Sequence, residues 1–329
     1  MDCLHIIRPY FSFNRIKKLW RNSSSWYNVQ SLPENYIFPP EIRPGKHNVT
    51  ICNTIPVVDL EGTDATWKIL KAGQEFGFFR EFFEMAAEDK AKLYSKDPSR
   101  ICRLYTSSGN YDNEQVHFWR DNLRHPCHPL QEFIEQWLEK PTRYREIVGA
   151  SSVEVRKLGL RILGMISEGL GLDAEYLRGD LSKELLLSVN HYPPCPEPSL
   201  RLGLPKHSDP NLITILHQGD VHGLQVFKDG EWIGVEPIPN ALVVNIGLQL
   251  QIISNGMLKS SEHRAVTNSS DAFFFIPCKD SIVEPAKTLT NNEQNPPLFR
   301  AFQFKEFYIH YAAKMGNTEA ALDPFKLQA

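Results

Sequence analysis

Three residues combine the types and the spacing needed for a metal site: His207, Asp209 and His263. In an extended segment, residues i and i+2 point to the same face, so His207 and Asp209 can direct an imidazole and a carboxylate at one point. A metal bound on one face needs a third ligand, and His263 on a later strand is the candidate. Two histidines and one carboxylate with open positions opposite them are typical of non-haem Fe(II) sites.

A His-x-Asp pair is also common by chance, because the chain contains 11 His and 39 acidic residues. The pair alone therefore predicts little. The apolar run at 185–189, which a Pro-rich turn ends, predicts a buried strand just before the pair. This context and the later His263 favour a metal site over a coincidence.

A second group of metal-ligand residue types, His125, Cys127 and His128, raises a zinc hypothesis. Tetrahedral zinc needs ligands that can surround the ion. The tight spacing of these three residues, with Pro126 and Pro129 among them, makes simultaneous ligation awkward. We therefore prefer a structural loop near the mouth of a pocket for this segment.

The composition of the 329-residue chain is that of a globular protein, with 42% hydrophobic and 23% charged residues. A formal net charge of −3 gives no reason to expect nucleic acid or a membrane surface as the main partner. The six cysteines form no C-x-x-C pair, which favours a reducing compartment and predicts a cytoplasmic location. Residues 1–26 carry five basic residues against the single acid Asp2, and we prefer a basic tail to a weak transit peptide.

Helical periodicity is clearest over residues 151–172, where apolar residues recur every three or four positions and a serine can cap the start. Residues 66–79 also predict a helix. Residues 101–113 look irregular because they are rich in turn formers, and residues 116–119 predict a short strand.

From residue 185 onward, the pattern changes to short apolar runs separated by turns, and Asp229-Gly230 is a hairpin turn signal. The further candidate strands lie at 211–216, 224–227, 231–235, 241–246, 251–254 and 272–276. Many short strands with such turns predict a mainly β fold with flanking helices, a double-stranded β-helix (jelly roll) with the metal site in its mouth.

The same patterns divide the chain into four regions. We predict a basic tail at 1–26 and a helical and mixed region at 27–180. The jelly-roll core follows at 181–305. A helical tail, with helices near 308–314 and 319–322, covers 306–329.

Four motifs carry a family resemblance: NHYPPCP at 190–196, GLPKHSDPNLIT at 203–214, GLQV at 223–226 and HRAV at 263–266. In their order and spacing the chain resembles the plant 2-oxoglutarate- and Fe(II)-dependent dioxygenases, from residue 29 onward. Within that family, the segments FWRD, HPCHPL and VEVRKL between residues 118 and 158 most resemble the hyoscyamine 6-dioxygenase branch.

The resemblance implies Fe(II) as the metal, 2-oxoglutarate as cosubstrate and ascorbate as a candidate reductant. It implies hydroxylation of a small-molecule substrate, such as an alkaloid, a flavonoid or another phenolic, coupled to conversion of 2-oxoglutarate to succinate and carbon dioxide. Tyr192 would bind the distal carboxylate of 2-oxoglutarate, and Asn190 the end nearer the iron. The alternatives are a Tyr192 that packs locally and an Asn190 that caps the strand end. Phe118 and Trp119 are candidate pocket-lining residues, although aromatic core is the more common fate of such pairs.

The chain departs from the resembled family at three places. Gly77-Phe78-Phe79-Arg80 runs directly into Glu81, as though a strand and most of a helix were missing after Phe79. Phe273 occupies the place of an arginine that the family has about ten residues after the distal histidine, followed two residues later by serine. Leu248 stands where most relatives carry Asp, a feature that the hyoscyamine 6-dioxygenase branch shares.

These departures leave open two alternatives to a working dioxygenase. One is a catalytically impaired, metal-binding jelly roll from a shortened transcript, which lacks the arginine for 2-oxoglutarate. The other is a cupin-like metalloenzyme that never uses 2-oxoglutarate, a reading that leaves the Tyr192 motif unexplained.

Overall fold

The computed structural model describes residues 29–45, 49–51, 55, 57–58, 77–108, 111–218, 222–238, 241–266, 269–290, 293–314 and 317–327. The predicted tail at 1–26 and all but the end of the predicted helix at 66–79 lie outside these residues. None of the helices in the described ranges has the length and apolar character needed to cross a membrane.

Twelve strands are present in the described ranges. They are β1 Arg103–Thr106, β2 Asp121–His128, β3 Glu184–His191, β4 Leu204–His207, β5 Ile213–His217, β6 Leu224–Lys228, β7 Glu231–Gly234, β8 Val243–Ile246, β9 His263–Ala265, β10 Ser269–Ile276, β11 Ile282–Val283 and β12 Phe302–Gln303. The α-helices of the described ranges are α1 Gly77–Glu84, α2 Ala87–Ala91, α3 Leu130–Phe133, α4 Tyr144–Gly169, α5 Leu248–Ile253, α6 Phe304–Ala313 and α7 Thr318–Leu322.

Ten of these strands build two antiparallel sheets that face each other, and β11 and β12 form a separate two-stranded sheet. Six strands form the larger sheet in the order β1-β2-β3-β10-β5-β8, and four form the smaller one in the order β4-β9-β6-β7. Leu216 and Val243 from the larger sheet share a buried cluster with Leu224 from the smaller one. Because apolar side chains of both inner faces meet in one core, the predicted mainly β jelly-roll fold is confirmed.

Helix α4 covers the outer face of the larger sheet. Val155 and Leu158 of the helix belong to the same buried cluster as Leu187 and Phe275 of the sheet. The contact is closest at Gly159, where an added Cβ would lie 1.9 Å from the Phe275 ring. The absence of a side chain at this position lets the helix approach the sheet.

The long helix begins earlier than the periodicity predicts, at Tyr144 rather than near residue 151. Ser151 and Ser152, which were predicted to cap the helix start, instead lie within the helix. The Ser151 hydroxyl donates to the Ile147 carbonyl and the Ser152 hydroxyl to the Gly149 carbonyl, both at 2.8 Å. A serine that bonds the preceding turn is compatible with a helix interior.

Four local predictions are wrong. Residues 103–106 are a strand rather than irregular, and residues 116–119 are not a strand. The segment 125–128 continues β2 instead of forming a loop. Its Pro126 is tolerated because β1 pairs only as far as Arg124, which leaves Pro126 on a sheet edge.

The segment 251–254, which alternates like a strand, belongs to helix α5 and the turn that follows it. Leu248, Leu250, Ile252 and Ile253 in this region are all buried. When a short segment is apolar on all sides, its pattern does not distinguish a strand from a helix.

The packing at Gly159 generates a stability prediction. We expect Gly159→Ala to lower the free energy of unfolding by about 1–3 kcal/mol, because Phe275 must move to admit the methyl group. Gly169→Ala in the same helix is the control, since nothing lies within 4 Å of its added Cβ. Urea unfolding of both variants is the measurement, and equal stability of the two would contradict the packing described here.

Candidate functional site

The three predicted metal ligands meet where β4 and β9 pair. His207 ends β4, His263 begins β9, and the two residues lie opposite each other in the strand register. The Asp209 Oδ1 atom lies 3.6 Å from His207 Nε2 and 3.7 Å from His263 Nε2. In the described part of the chain, this is the one group of three or more such side chains whose ligand atoms approach within 4.8 Å of one another.

Each of these side chains is oriented by a bond on its far side. The Nδ1 atom of His207 donates to the Pro205 carbonyl at 2.8 Å, and Nδ1 of His263 to the Ser261 carbonyl at 3.1 Å. These bonds select the tautomers that leave both Nε2 atoms as acceptors.

The Asp209 carboxylate is held in a similar way. Its Oδ2 atom accepts a 2.6 Å hydrogen bond from the Thr214 hydroxyl and a longer one, 3.4 Å, from Asn245. Its backbone carbonyl accepts from the N–H of Leu248 at 2.8 Å. Leu248 therefore supports the site through its backbone, while its side chain is fully buried.

The protonation state of the site suits metal binding. Burial lowers the pKa of His207 to about 4, and the neighbouring His263 and Arg120 act in the same direction. The imidazole is therefore neutral near pH 7, which is the form that binds metals. Two imidazole nitrogens and one carboxylate oxygen on one face are a donor set that fits Fe(II).

The C-terminal helices bind the loop that carries Asp209. The Tyr311 hydroxyl of α6 donates to the Ser208 carbonyl at 2.7 Å, and the Thr318 hydroxyl of α7 to Ser208 Oγ at 3.0 Å. Burial, and after it the Asp209 charge, raise the pKa of Tyr311 well above its usual value. The sequence predicts a helix here but gives no signal for this contact.

A row of buried polar side chains lines β2 and β3. The Asn190 Oδ1 atom accepts from Arg120 Nη1 at 2.6 Å and from Asn122 Nδ2 at 2.8 Å. The Oδ1 atom of Asn122 is buried without a hydrogen-bond partner among the described residues. Asn190 thus belongs to an interior polar network rather than to a strand cap. Arg120 and Asn122 were not among the predicted site residues.

The predicted aromatic residues are part of the core or lie close to the backbone. Tyr192 is buried, and its ring packs so close to Gly203 that an added Cβ would lie 2.4 Å away. Trp119 is fully buried and donates its indole N–H to the Pro193 carbonyl at 3.0 Å. Phe118 belongs to a buried cluster with Phe38. Both Phe118 and Trp119 are therefore core residues, which is the more common role of such aromatic pairs.

Strand β10 supplies no guanidinium to the site. None of its residues, Ser269–Ile276, is basic. Phe273 lies opposite Leu187 on one side and Ile215 on the other, and is buried in the cluster that includes helix α4. The aromatic ring therefore packs on the outer face of the sheet and contributes no group to the ligand site.

The second group of metal-ligand types forms no metal site. The His125 Nε2 atom is hydrogen-bonded to the Tyr144 hydroxyl at 2.7 Å, and the Cys127 thiol is buried nearby. Burial lowers the pKa of His125 to about 4 and raises the pKa of Cys127. A neutral histidine bonded to a tyrosine on α4 indicates a structural role.

The hydrogen bond to Asp209 generates a prediction about metal affinity. We expect Thr214→Val to weaken Fe(II) binding by about 10–100-fold, because the unbonded carboxylate loses its orientation. Thr290→Val, at an exposed hydrogen bond, is the control. Anaerobic Fe(II) titration measures both, and unchanged affinity in Thr214→Val would show that the bond does not orient the ligand.

The burial of His125 generates a pH prediction. Its folded pKa of about 4 lies below the ordinary value of 6.5, so the unfolded chain binds the proton first. Stability should therefore fall as the pH falls from 6.5 to 4, by at most about 1.4 kcal/mol per pH unit for this group. The slope of unfolding free energy against pH should be smaller in His125→Gln than in the wild type. Equal slopes in the two proteins would contradict the assignment.

With this geometry in place, comparisons with known proteins give a consistent result. Residues 183–277 match the model of the 2OG-Fe(II) oxygenase superfamily. Flavanone 3-dioxygenase 2 of Oryza sativa subsp. japonica is 42% identical over 90% of this chain and 94% of its own length. Hyoscyamine 6-dioxygenase of Hyoscyamus niger is 38% identical over 92% of this chain and 98% of its own. That alignment extends over 341 positions, more than the whole 329-residue chain, so this chain lacks residues that the relative has.

A solved structure agrees with the fold as well. The crystal structure of JOX2 in complex with 2OG, Fe and JA superposes with a TM-score of 0.78 at 30% identity, covering 92% of this chain and 95% of that one. The expected cofactor and cosubstrate, Fe(II) and 2-oxoglutarate, are therefore confirmed. The chain belongs to the plant 2-oxoglutarate- and Fe(II)-dependent dioxygenase family.

Proposed function

We propose that this dioxygenase hydroxylates a small-molecule specialised metabolite, such as an alkaloid, a flavonoid or another phenolic, in the cytoplasm. The relatives support a small-molecule substrate, because their names specify a flavanone and hyoscyamine. In this proposal His207, Asp209 and His263 hold the iron, and Asn190 and Tyr192 contact 2-oxoglutarate. Iron with 2-oxoglutarate and dioxygen supplies the oxidising power for hydroxylation of a C–H bond.

One observation carries the proposal: the free ligand atoms of the three side chains converge while their other polar atoms are bonded outward. His207 Nε2, His263 Nε2 and Asp209 Oδ1 are the atoms that face one another. Because their orientation does not depend on an ion, the protein can bind Fe(II) without reorganising these side chains. The neutral His207 also requires no proton release on binding.

The chain's own residues would position the ligands and limit access of water. The buried network of Arg120, Asn122 and Asn190 presents polar groups from one wall of the barrel. The hydrogen bonds from Tyr311 and Thr318 to Ser208 hold the C-terminal helices against the loop that contains Asp209. A site enclosed in this way confines the oxidising chemistry to a substrate placed within it.

The second candidate is a metal-binding jelly roll with impaired catalysis. Its support is the absence of a basic residue on β10, together with the residues that this chain lacks relative to hyoscyamine 6-dioxygenase. Such a protein would bind Fe(II) through the same three side chains. It would not form a complex with 2-oxoglutarate.

Anaerobic titration of the Fe(II)-loaded chain with 2-oxoglutarate separates the two candidates. We expect the weak visible charge-transfer band of a bidentate 2-oxoacid on iron, saturating at micromolar to low millimolar cosubstrate. Asp209→Ala should show no band, because it removes the carboxylate ligand. A metal-loaded wild-type protein without a band up to millimolar 2-oxoglutarate would favour the impaired jelly roll.

Turnover then tests the substrate class. Aerobic reactions with ascorbate and a panel of alkaloids, flavonoids and simpler phenolics should produce succinate and a hydroxylated product in equal amounts for at least one compound. Product mass and succinate are measured together, since uncoupled decarboxylation yields succinate alone. Cosubstrate binding without product from any of these classes would overturn the proposed substrate class.

A further inference from the structure

Arg120 is a buried cation without a counterion in the described structure. Its side chain and backbone together are 8% exposed. Its Nε atom donates to the Ser107 carbonyl at 2.9 Å and its Nη1 to Asn190 Oδ1 at 2.6 Å, so both partners are neutral. Within the described ranges, no carboxylate lies within 4.0 Å of the guanidinium. A buried charge left in this state is costly unless an anion joins it.

The guanidinium retains bonding capacity on the side away from the backbone. Its Nη2 atom has no hydrogen-bond partner among the described residues, and unlike Asn122 Oδ1 it is not fully buried. Because Nη2 is free and Nη1 is bonded only to a neutral amide, the guanidinium can still donate two hydrogen bonds to a carboxylate.

Arg120 lies next to a residue that we propose to contact 2-oxoglutarate. Its Nη1 atom donates to Asn190, which stands opposite Ser270 of β10 and Asn122 of β2. The backbone N–H of the preceding residue, Trp119, donates to the Leu202 carbonyl at 3.1 Å, shortly before β4, the strand that ends with His207. Arg120 therefore lies where the strand of Asn190 meets the segment that leads into the proposed iron ligands.

The other arginines near the core have other partners, although Nε of Arg201 is buried without one among the described residues. Arg124, on β2, is hydrogen-bonded to Tyr105 and Tyr308. Arg201 donates to the Val266 carbonyl at 2.9 Å, and Arg264 donates to Gln225 and lies 4.0 Å over the Trp232 ring. In contrast to Arg120, none of them combines a free terminal nitrogen with a place in the network around Asn190.

We propose that Arg120, immediately before β2 in the sheet that also contains β10, binds the distal carboxylate of 2-oxoglutarate in this chain. The chelating carboxylate is compensated by iron, so the distal carboxylate is the one that needs a separate cation. The inference rests on the proposed function, since it requires 2-oxoglutarate at the iron. It explains how a chain whose β10 carries no basic residue can retain its cosubstrate.

The test compares 2-oxoglutarate with 2-oxovalerate, a 2-oxoacid of the same length that lacks the distal carboxylate. Dissociation constants are measured anaerobically on the Fe(II)-loaded full chain from the charge-transfer band, and independently from the ligand-induced rise in Tm. We expect the wild type to prefer 2-oxoglutarate by about 10–100-fold, the value of a charge-assisted contact. Arg120→Gln should lose that preference, while its affinity for 2-oxovalerate changes by less than about threefold.

Two further variants keep the comparison interpretable. Arg156→Gln is the matched control, because Arg156 is a part-buried arginine on α4 that donates to the Ser182 carbonyl. It should retain the wild-type preference. Arg120→Lys keeps the charge without the fork, and should retain part of the preference even where Arg120→Gln fails to fold.

Three outcomes would overturn the inference. A full preference in Arg120→Gln would mean that Arg120 serves another anion, such as an acidic substrate. An equal loss for both 2-oxoacids would mean that Arg120 only positions Asn190. A wild type that binds iron but neither 2-oxoacid would overturn the proposed function along with it, whereas the first two outcomes leave that function intact.

Discussion

The pairing of β4 with β9 is the constraint on which the site depends. It places His207 opposite His263 across two neighbouring strands, so the backbone register fixes the separation of the two imidazoles. A shift of one residue in either strand would turn one histidine to the other face of the sheet. The carbonyls of Pro205 and Ser261, each two residues before its histidine, then fix the rings. The metal ligands are thus positioned by backbone hydrogen bonds, with side-chain packing in a supporting role.

Asp209 joins this frame through the larger sheet. Its carboxylate is bonded by Thr214 of β5, and its backbone by Leu248 at the start of α5. The site therefore forms only when the two sheets face each other as they do in the jelly roll. Helix α6 adds Tyr311 to the same loop, so several separate parts of the chain meet around two consecutive residues, Ser208 and Asp209. Stability of the barrel and integrity of the site are coupled for this reason.

Charge is distributed unevenly around the proposed iron. His207 is neutral near pH 7, and both histidines lie beside the single carboxylate of Asp209. Arg120 brings an uncompensated positive charge to the wall formed by β2 and β3. Strand β10, the neighbour of β3, contributes Phe273 to the outer core instead of a cation to the interior. An anionic cosubstrate would resolve the imbalance, because it supplies the charge that the described protein residues do not. The electrostatics of the site thus favour a dicarboxylic ligand.

Residue types and spacing in the sequence determined the three metal-ligand side chains, the jelly-roll class and the long amphipathic helix. His-x-Asp in an extended segment and strands separated by turns are local patterns, and local geometry is enough to interpret them. The tertiary structure decided what local patterns do not contain. Several features depend on residues distant in sequence: the continuation of β2 through Pro126, the helix at Leu248–Ile253, and the partners Thr214, Tyr311 and Arg120. Arg120 carries no periodic or spacing signal, because its role arises from burial beside Asn190, 70 residues later in the chain.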